Sequence, residues 1–214
     1  TYRNYSKGEF GYAGDGIDDI RRNLPKWIKA QDRAVTGEDY KTLTDQFKTP
    51  YSGQIGKSTA VLRNHGCSGN IVDLYILAKD GEDLVLANNE LKVSLNQELN
   101  IKKMLTDFVC IKDGNIKLVD VNIDLTLDKF YKKTEKEIRA NITRKINSFF
   151  SLNNWDYNQN LKSSDLIKEL SDVKEIENIQ IMLITSDESS DVLISSKFNE
   201  IIRPDIVTLS FIYN

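Results

Sequence analysis

The most regular alternation of hydrophobic and polar residues lies between residues 116 and 127. Every second residue there is apolar: Val119, Val121, Ile123, Leu125 and Leu127. Because successive side chains of a strand point to opposite faces, the pattern predicts a strand with one packed face and one wet face. Residues 71–78 are almost all apolar, which is typical of a strand covered on both faces.

A capping motif predicts the first well-defined helix. Thr36 is followed three residues later by Asp39, the arrangement in which each side chain bonds the other's backbone N–H. Val35 and Tyr40 occupy the two positions of a hydrophobic staple. The spacing then predicts an amphipathic helix from Thr36 through Phe47, before a proline.

A second motif of the same kind, Thr134 with Glu137, predicts the start of a helix that runs to about Phe150. Its buried stripe is expected at three isoleucines: Ile138, Ile142 and Ile146. Leucines spaced by four predict a further helix over residues 88–104, and a short helix is expected over residues 164–170.

The remaining elements are shorter. Strands are predicted at residues 58–62, 108–111, 179–184 and 206–213, and Asp113-Gly114 is typical of a hairpin turn. A turn or two of helix is expected from Ile17, ending before Pro25 because the residue before a proline avoids the helical region.

This order of elements favours an α+β fold with two small mixed subdomains. Each is expected to have mainly antiparallel strands covered by helices. The predicted divisions are a glycine-rich arm or linker over residues 1–34, a first subdomain over residues 35–112 and a second over residues 113–214. The chain starts without Met, so it is expected to be a fragment of a longer polypeptide.

Composition narrows the classes of partner. The 214 residues include 29 basic and 32 acidic side chains, a net charge of −3, which argues against a surface that binds nucleic acid. Apolar runs fall short of the roughly 20 residues that span a bilayer, so no membrane partner is expected. Two cysteines, Cys67 and Cys110, are too few for a disulfide framework.

Candidate chemistry is sparse. The glycines at positions 11, 14 and 16 resemble a phosphate loop, but no predicted strand precedes them and no G-K-[ST] follows. His65 and Cys67 are close in sequence, yet His65 is the single histidine, which leaves a four-ligand metal site incomplete. We therefore predict no cofactor and no metal.

Carboxylates are interpreted as solvated groups. Asp120 and Asp124 share one face of the alternating strand, and Asp187, Glu188 and Asp191 lie in a Ser-rich loop. No neighbouring base or other perturbing group accompanies either set, so no catalytic residue is predicted.

An aromatic pair in an Asn-rich segment indicates a structural turn. Trp155 and Tyr157 lie between two predicted helices, where their rings are expected to hold a turn against the core. The predicted structural residues are therefore Val35, Thr36, Asp39, Tyr40, Trp155 and Tyr157.

Taken in order, these landmarks resemble the baseplate J-like family, which includes wedge proteins of contractile bacteriophage tails. The specific parts are the opening R-A-V-T-x-x-D-Y (residues 33–40) and the turn W-x-Y-x-Q-x-L (residues 155–161). The resemblance extends over residues 31–184 and matches the C-terminal portion of such proteins. Asn158 departs from the family, which tends to place glycine there; Asn tolerates the left-handed region that such a turn requires.

The resemblance implies a non-enzymatic, structural role in a baseplate ring, without a cofactor. Implied partners are a second copy of the chain, as a homodimer within the ring, and other wedge or hub-proximal proteins. The implied location is the tail baseplate of a virion, with the host cytoplasm as the site of assembly. Two alternatives stay open: a non-catalytic ligand- or peptide-binding module, and an accessory domain of an enzyme whose active site lies outside this fragment.

Overall fold

The computed structural model describes residues 16–49, 52–64, 66, 69–81, 83–173, 175–185 and 190–213. The glycine-rich segment before Gly16 and the residues His65, Cys67, Asp187 and Glu188 lie outside the described residues. The chain divides into two compact units, Thr1–Gly114 (unit 1) and Asn115–Asn214 (unit 2). Helices and mostly antiparallel strands make up the described parts of both, as in the predicted α+β class.

Unit 1 is built on a five-stranded sheet. Its strands are β1 (Lys48–Thr49), β2 (Gly53–Asn64), β3 (Asn70–Asp80), β4 (Asp83–Val85) and β5 (Asp107–Asp113). The central strand β3 pairs antiparallel with β2 and β4 and parallel with β5. The apolar run over residues 71–78 is therefore the middle of the sheet, as its pattern predicts.

The helices of unit 1 are α1 (Ile17–Ala30), α2 (Gly37–Asp45) and α3 (Asn89–Lys102). The side chain of Asn88 accepts a hydrogen bond of 2.7 Å from the backbone N–H of Leu91 and so caps α3. The buried core joins α2 and α3 to one face of β3: Tyr40, Leu43, Val72, Leu74, Ile76, Leu91, Leu95 and Leu99.

Unit 2 contains a four-stranded sheet in the order β11 (Glu200–Tyr213), β6 (Asn115–Leu127), β8 (Ile176–Thr185) and β9 (Ser190–Asp191). The alternating strand β6 lies between β11, to which it is parallel, and β8, to which it is antiparallel. The two-residue strands β7 (Leu161–Lys162) and β10 (Leu193–Ile194) form a separate ladder.

Helices α4 (Glu135–Phe149) and α5 (Ser163–Leu170) contribute to the core of unit 2. The apolar side of β6 is almost fully buried, and its polar side is half-exposed, which matches the predicted two-faced strand. The stripe Ile138, Ile142 and Ile146 of α4 is buried in the same core. An amphipathic strand thus meets an amphipathic helix.

Proline does not end α1, contrary to the sequence prediction. The helix continues through Pro25 to Ala30, and the backbone N–H of Gln31 donates to the carbonyl of Trp27. The φ angle of proline is itself helical, so the chain can continue at the cost of one intrahelical hydrogen bond.

The hairpin predicted at Asp113-Gly114 is also wrong. Strand β5 ends at Asp113 in the unit 1 sheet, whereas β6 pairs within the unit 2 sheet. The backbone N–H of Gly114 donates to the carbonyl of Ile76 at 3.0 Å. Long-range pairing with β3 and β11 therefore overrides the local turn preference of Asp-Gly.

The capping box predicted at Thr134 does not form. A 3₁₀ helix (Lys129–Thr134) precedes α4, and Asp128 caps it by accepting from the backbone N–H of Phe130 at 2.9 Å. Thr134 has φ −103° and ψ 11° and makes no side-chain capping bond. A capping residue needs an extended backbone. Thr134 is the last residue of the 3₁₀ helix, so its backbone is not extended.

Candidate functional site

The first predicted motif forms the start of α2. Thr36 has φ −109° and ψ 162°, and its hydroxyl accepts from the backbone N–H of Asp39 at 3.3 Å. The Asp39 carboxylate accepts from the backbone N–H of Thr36 at 2.9 Å. The backbone N–H groups of Thr36 and Asp39, at the N-terminus of α2, are thus each hydrogen-bonded by the other residue's side chain. Val35, the residue before the cap, is 43% exposed.

Tyr40 connects this helix to the sheet. Its ring is fully buried, and its hydroxyl donates to the Asp107 carboxylate at 2.8 Å. The side-chain amide of Asn70 donates to the second oxygen of Asp107 at 3.2 Å. Burial, followed by the bond to Asp107, raises the pKa of Tyr40 far above its ordinary value, so the phenol stays protonated and acts as a donor.

Gly69 fixes the position of β5 beside this network. Its φ is +113°, and a Cβ there would lie 2.2 Å from the carbonyl oxygen of Thr106. The next backbone N–H, that of Asn70, donates to the same oxygen at 3.1 Å. Only glycine fits this close approach, which brings Asp107 to the side chains of Asn70 and Tyr40.

The second predicted motif is the aromatic turn, residues 155–161. Trp155 is 2% exposed and stacks on Phe150 with ring centroids 5.7 Å apart. The rings of Trp155 and Phe149 meet in a T-shaped arrangement with centroids also 5.7 Å apart, and the indole N–H donates to the Phe149 carbonyl at 2.9 Å. The indole therefore covers the C-terminus of α4 and satisfies one of its end carbonyls.

The rest of the aromatic turn is tied to the start of β11. Asn158 has φ +59°, the left-handed conformation, and its backbone N–H donates to the Glu200 carbonyl at 3.1 Å. Asn160 accepts from the backbone N–H of Ser196 at 3.0 Å. Tyr157 is 7% exposed. The structure thus brings Trp155 and Tyr157 together in one turn of unit 2, whereas Val35, Thr36, Asp39 and Tyr40 lie together in unit 1.

An ion-paired carboxylate that the sequence did not indicate lies on β3. Asp73 is 4% exposed and contacts the Arg63 guanidinium at 2.6 Å and the Lys112 ammonium at 2.9 Å. The hydrogen bond from Arg63, followed by that from Lys112, lowers the pKa of Asp73 despite its burial. The cluster neutralises a charge on the face of the sheet opposite the helices and does not resemble a poised acid or base.

Unit 2 contains a shallow groove. Its volume is about 550 Å³, and its charged lining consists of Lys117, Lys197 and Glu200. The Lys117 ammonium donates to the Ser195 carbonyl at 3.0 Å, and Glu200 lies 3.9 Å from Lys197. These charges are engaged with one another and with the backbone, so they do not converge on the groove.

Asp120 and Asp124, the carboxylates on the polar face of β6, lie among structural contacts. Asp120 accepts from the backbone N–H of Ile206 at 3.1 Å, beside the irregularity of β11 between Pro204 and Val207. Asp124 lies further along the same face of β6 and is half-buried. Asp120 therefore satisfies a donor that the interrupted ladder leaves over.

Within the described ranges, His, Cys, Asp and Glu side chains do not gather in a group that could hold a metal ion. Cys110, on β5, is an exposed free thiol. In the described part of the chain, no helix combines the length and hydropathy that crossing a membrane requires.

Several apolar surfaces are exposed. One face of α1, which we call the α1 stripe, has side chains between 46% and 69% exposed: Ile17, Ile20, Leu24, Trp27 and Ile28. Leu105 is fully exposed and Phe108 is 60% exposed in unit 1. In unit 2, Ile206 and Ile212 of β11 are 60% and 53% exposed. Clusters of this kind mark contact surfaces more often than catalytic sites.

The fold is similar to that of a chain in the six-fold symmetrised cryo-EM structure of the anti-feeding prophage (AFP) baseplate. The TM-score is 0.55 at 12% sequence identity, over 88% of this chain and 41% of that chain. The chain therefore spans about two fifths of the length of that baseplate chain, and the likeness is one of fold. No protein-family model matches the chain, and no curated protein matches it in sequence.

Proposed function

We propose that this chain is part of a structural subunit of a contractile-tail or contractile-injection baseplate and that it acts through contacts between subunits. The observation that carries the proposal is the fold similarity to a baseplate chain over 88% of this chain. A match of this extent is longer than either unit, so the similarity includes residues of both units.

The finer assignment is the baseplate J-like family and the wedge or ring position within the baseplate. Two motifs support it because their residues make the contacts that fix each unit. Thr36 and Asp39 cap α2 reciprocally, and Trp155 covers the end of α4. These residues are structural in the proposal, and the activity of the chain is assembly without catalysis.

The exposed surfaces support a role in contacts. The α1 stripe and the exposed residues Leu105 and Phe108 present apolar area on unit 1, which a partner can bury. In the proposal the partners are a second copy of the chain and other baseplate proteins. The protein would assemble in the host cytoplasm and remain in the tail baseplate.

A deletion experiment tests this function. Removing the gene should leave particles without complete baseplates in electron micrographs of lysates, and expression of the intact gene from a plasmid should restore them. Complete, contractile particles in the deletion strain would contradict the proposal. A tagged copy that restores assembly should also be found in purified particles at a fixed ratio to the sheath protein.

A further inference from the structure

The sheet of unit 1 has an outer face, which lies opposite the core that α2 and α3 cover. Val72, Leu74 and Ile76 of β3 point into that core, so the residues between them point the other way. Strand pairing brings residues of β2 and β5 to the same side. The charged side chains that these three strands carry on the outer face are Lys57, Arg63, Asp73, Lys79 and Lys112.

Positive charge is in excess on the outer face. Asp73 is the one acidic residue among the charged side chains of these three strands there, although the whole chain has a net charge of −3. The two carboxylates of β5 belong to the core side, where Asp107 bonds Tyr40 and Asp113 contacts the Lys92 ammonium at 2.8 Å. Charge of one sign gathered on one face attracts a partner of the opposite sign.

The central cations of the outer face have donors for a further anion. Arg63 contacts Asp73 through its Nε at 2.6 Å, and the Lys112 ammonium contacts the other carboxylate oxygen at 2.9 Å. Two cations thus share one carboxylate. Their side chains are 56% and 42% exposed, and the planar fork of a guanidinium matches the geometry of a carboxylate. Incoming carboxylates can therefore bond these cations while Asp73 stays in place.

Aromatic rings of the outer face are already in contact with cations. The Lys112 ammonium lies 5.5 Å from the centroid of the Tyr75 ring, and the Lys103 ammonium lies 5.7 Å from that of the Phe108 ring. Single-stranded nucleic acids bind such faces by stacking bases on open aromatic rings, whereas these two rings are engaged. The outer face is therefore suited to the carboxylates of a polypeptide rather than to a nucleic acid.

We propose that the outer face of the unit 1 sheet binds an acidic segment of a different protein, whose carboxylates bond Arg63, Lys79 and Lys112. Phe108, which is 60% exposed on the same face, supplies an apolar contact. This contact deepens the proposed assembly role and rests on that role only for the protein that supplies the segment. Residues 1–15 contain two basic and two acidic residues, so the N-terminal segment of this chain lacks the required charge.

The first test uses the intact chain and fluorescent peptides. One peptide alternates glutamate with threonine over about twelve residues, long enough to follow β3, and its analogue has glutamine in place of glutamate. Fluorescence anisotropy should show binding of the acidic peptide alone, which weakens as the ionic strength rises from about 0.05 M to about 0.5 M. Equal binding of the glutamine analogue overturns the inference. Tighter binding of an oligothymidylate of equal length also overturns it, in favour of a nucleic-acid surface.

Substitutions test where the peptide binds. Arg63→Gln with Lys112→Gln should weaken binding of the acidic peptide about tenfold, as expected for the loss of two partly exposed ion pairs. Lys79→Gln leaves the central ion pairs intact and should weaken it about threefold, which tests the face even if the double variant does not fold. Lys26→Gln with Lys29→Gln is the matched control, because it removes the same charge from exposed positions of α1. Equal weakening by the control would indicate non-specific attraction and overturn the inference.

Asp73→Asn should have an effect of opposite sign. It removes the carboxylate that competes with the peptide for Arg63 and Lys112, so the acidic peptide should bind several-fold more tightly. Circular dichroism should show that the variant is folded. Unchanged or weaker binding would mean that the two cations serve Asp73 alone, and the inference would have to be dropped.

A cross-linking experiment on purified particles tests the identity of the occupant. Carbodiimide joins an ammonium group to a carboxylate that contacts it. Lys79 is the informative residue, because the Lys112 ammonium already contacts Asp73 of its own chain. Mass spectrometry should find Lys79 linked to an Asp or Glu of a different protein. A link to a second copy of this chain, or no link from Lys79, would overturn the inference.

Complementation separates this inference from the proposed function. In the deletion strain, a plasmid copy with Arg63→Gln and Lys112→Gln should leave baseplates incomplete, whereas the wild-type copy restores them. Complete baseplates from the variant overturn the inference and leave the proposed function standing. Peptide binding as predicted, in a chain absent from baseplates, would refute the proposed function alone.

Discussion

Units 1 and 2 each contain a buried aromatic anchor, by which we mean an aromatic side chain held by a hydrogen bond, but the two anchors bond different kinds of partner. Each has a sheet with helices in its core, and in each a buried aromatic residue has a hydrogen-bonded polar atom. In unit 1 Tyr40 bonds the Asp107 side chain, which is distant in sequence, and in unit 2 Trp155 bonds the Phe149 carbonyl, six residues away. The anchor of unit 2 is thus local, whereas that of unit 1 joins a helix to a strand.

The largest effect is expected at Trp155. Trp155→Ala should lower the free energy of unfolding by about 3 to 5 kcal/mol, because it removes a large buried ring and leaves an end carbonyl of α4 unsatisfied. Trp27→Ala is the matched control: Trp27 is 46% exposed, so its loss should cost far less. Chemical denaturation measures both, and equal losses would contradict the anchoring role.

An intermediate effect is expected at Tyr40. Tyr40→Phe keeps the ring but removes the donor to buried Asp107, which should cost about 1 to 3 kcal/mol. The companion variant Tyr40→Phe with Asp107→Asn should recover part of the loss, since a neutral amide is less costly to bury than a carboxylate. Thermal or chemical unfolding measures both variants. If the double variant is no more stable than Tyr40→Phe, the phenol does not act by stabilising the charge of Asp107.

The two threonines offer a smaller, matched comparison. Thr36→Ala should cost about 1 kcal/mol because it removes a formed cap. Thr134→Ala should cost less than Thr36→Ala, since Thr134 makes no side-chain capping bond. Equal costs in denaturation experiments would show that Thr134 caps α4 in solution.

The smallest effect is expected from Asp73. Its folded pKa is lowered, so the stability that it contributes is present above its unfolded pKa of about 3.9 and is lost as the pH falls through the folded value. The melting temperature should therefore fall less steeply below about pH 4 in Asp73→Asn than in the wild type. High salt should reduce the difference because Arg63 and Lys112 are partly exposed. If the melting temperatures of the wild type and of Asp73→Asn fall equally steeply below about pH 4, the ion pairs of Asp73 do not contribute to stability in this way.

Periodic patterns predicted the long central elements well. The alternation in β6, the apolar run of β3 and the leucines of α3 each follow from a buried face that repeats along one element. Short elements such as β1, β4 and β9 have two or three residues, too few to show a period. They form because a neighbouring strand supplies their hydrogen bonds.

Errors arose where a local signal competed with a distant contact. Asp113-Gly114 has the sequence of a hairpin, yet the partners of β5 and β6 come from elsewhere in the chain. Thr134 has the spacing of a capping box, but Asp128 starts a 3₁₀ helix before it. Asp107 and Asp73 were missed because their importance depends on Tyr40, Arg63 and Lys112, which only folding brings near.

The most direct test of the baseplate assignment is a cryo-EM map of the intact particle from the organism that encodes the chain. We expect density for both units in the baseplate, in several copies related by the symmetry of the tail axis. The α1 stripe should be buried against neighbouring density. A complete baseplate map whose every chain is assigned to other proteins would contradict the account.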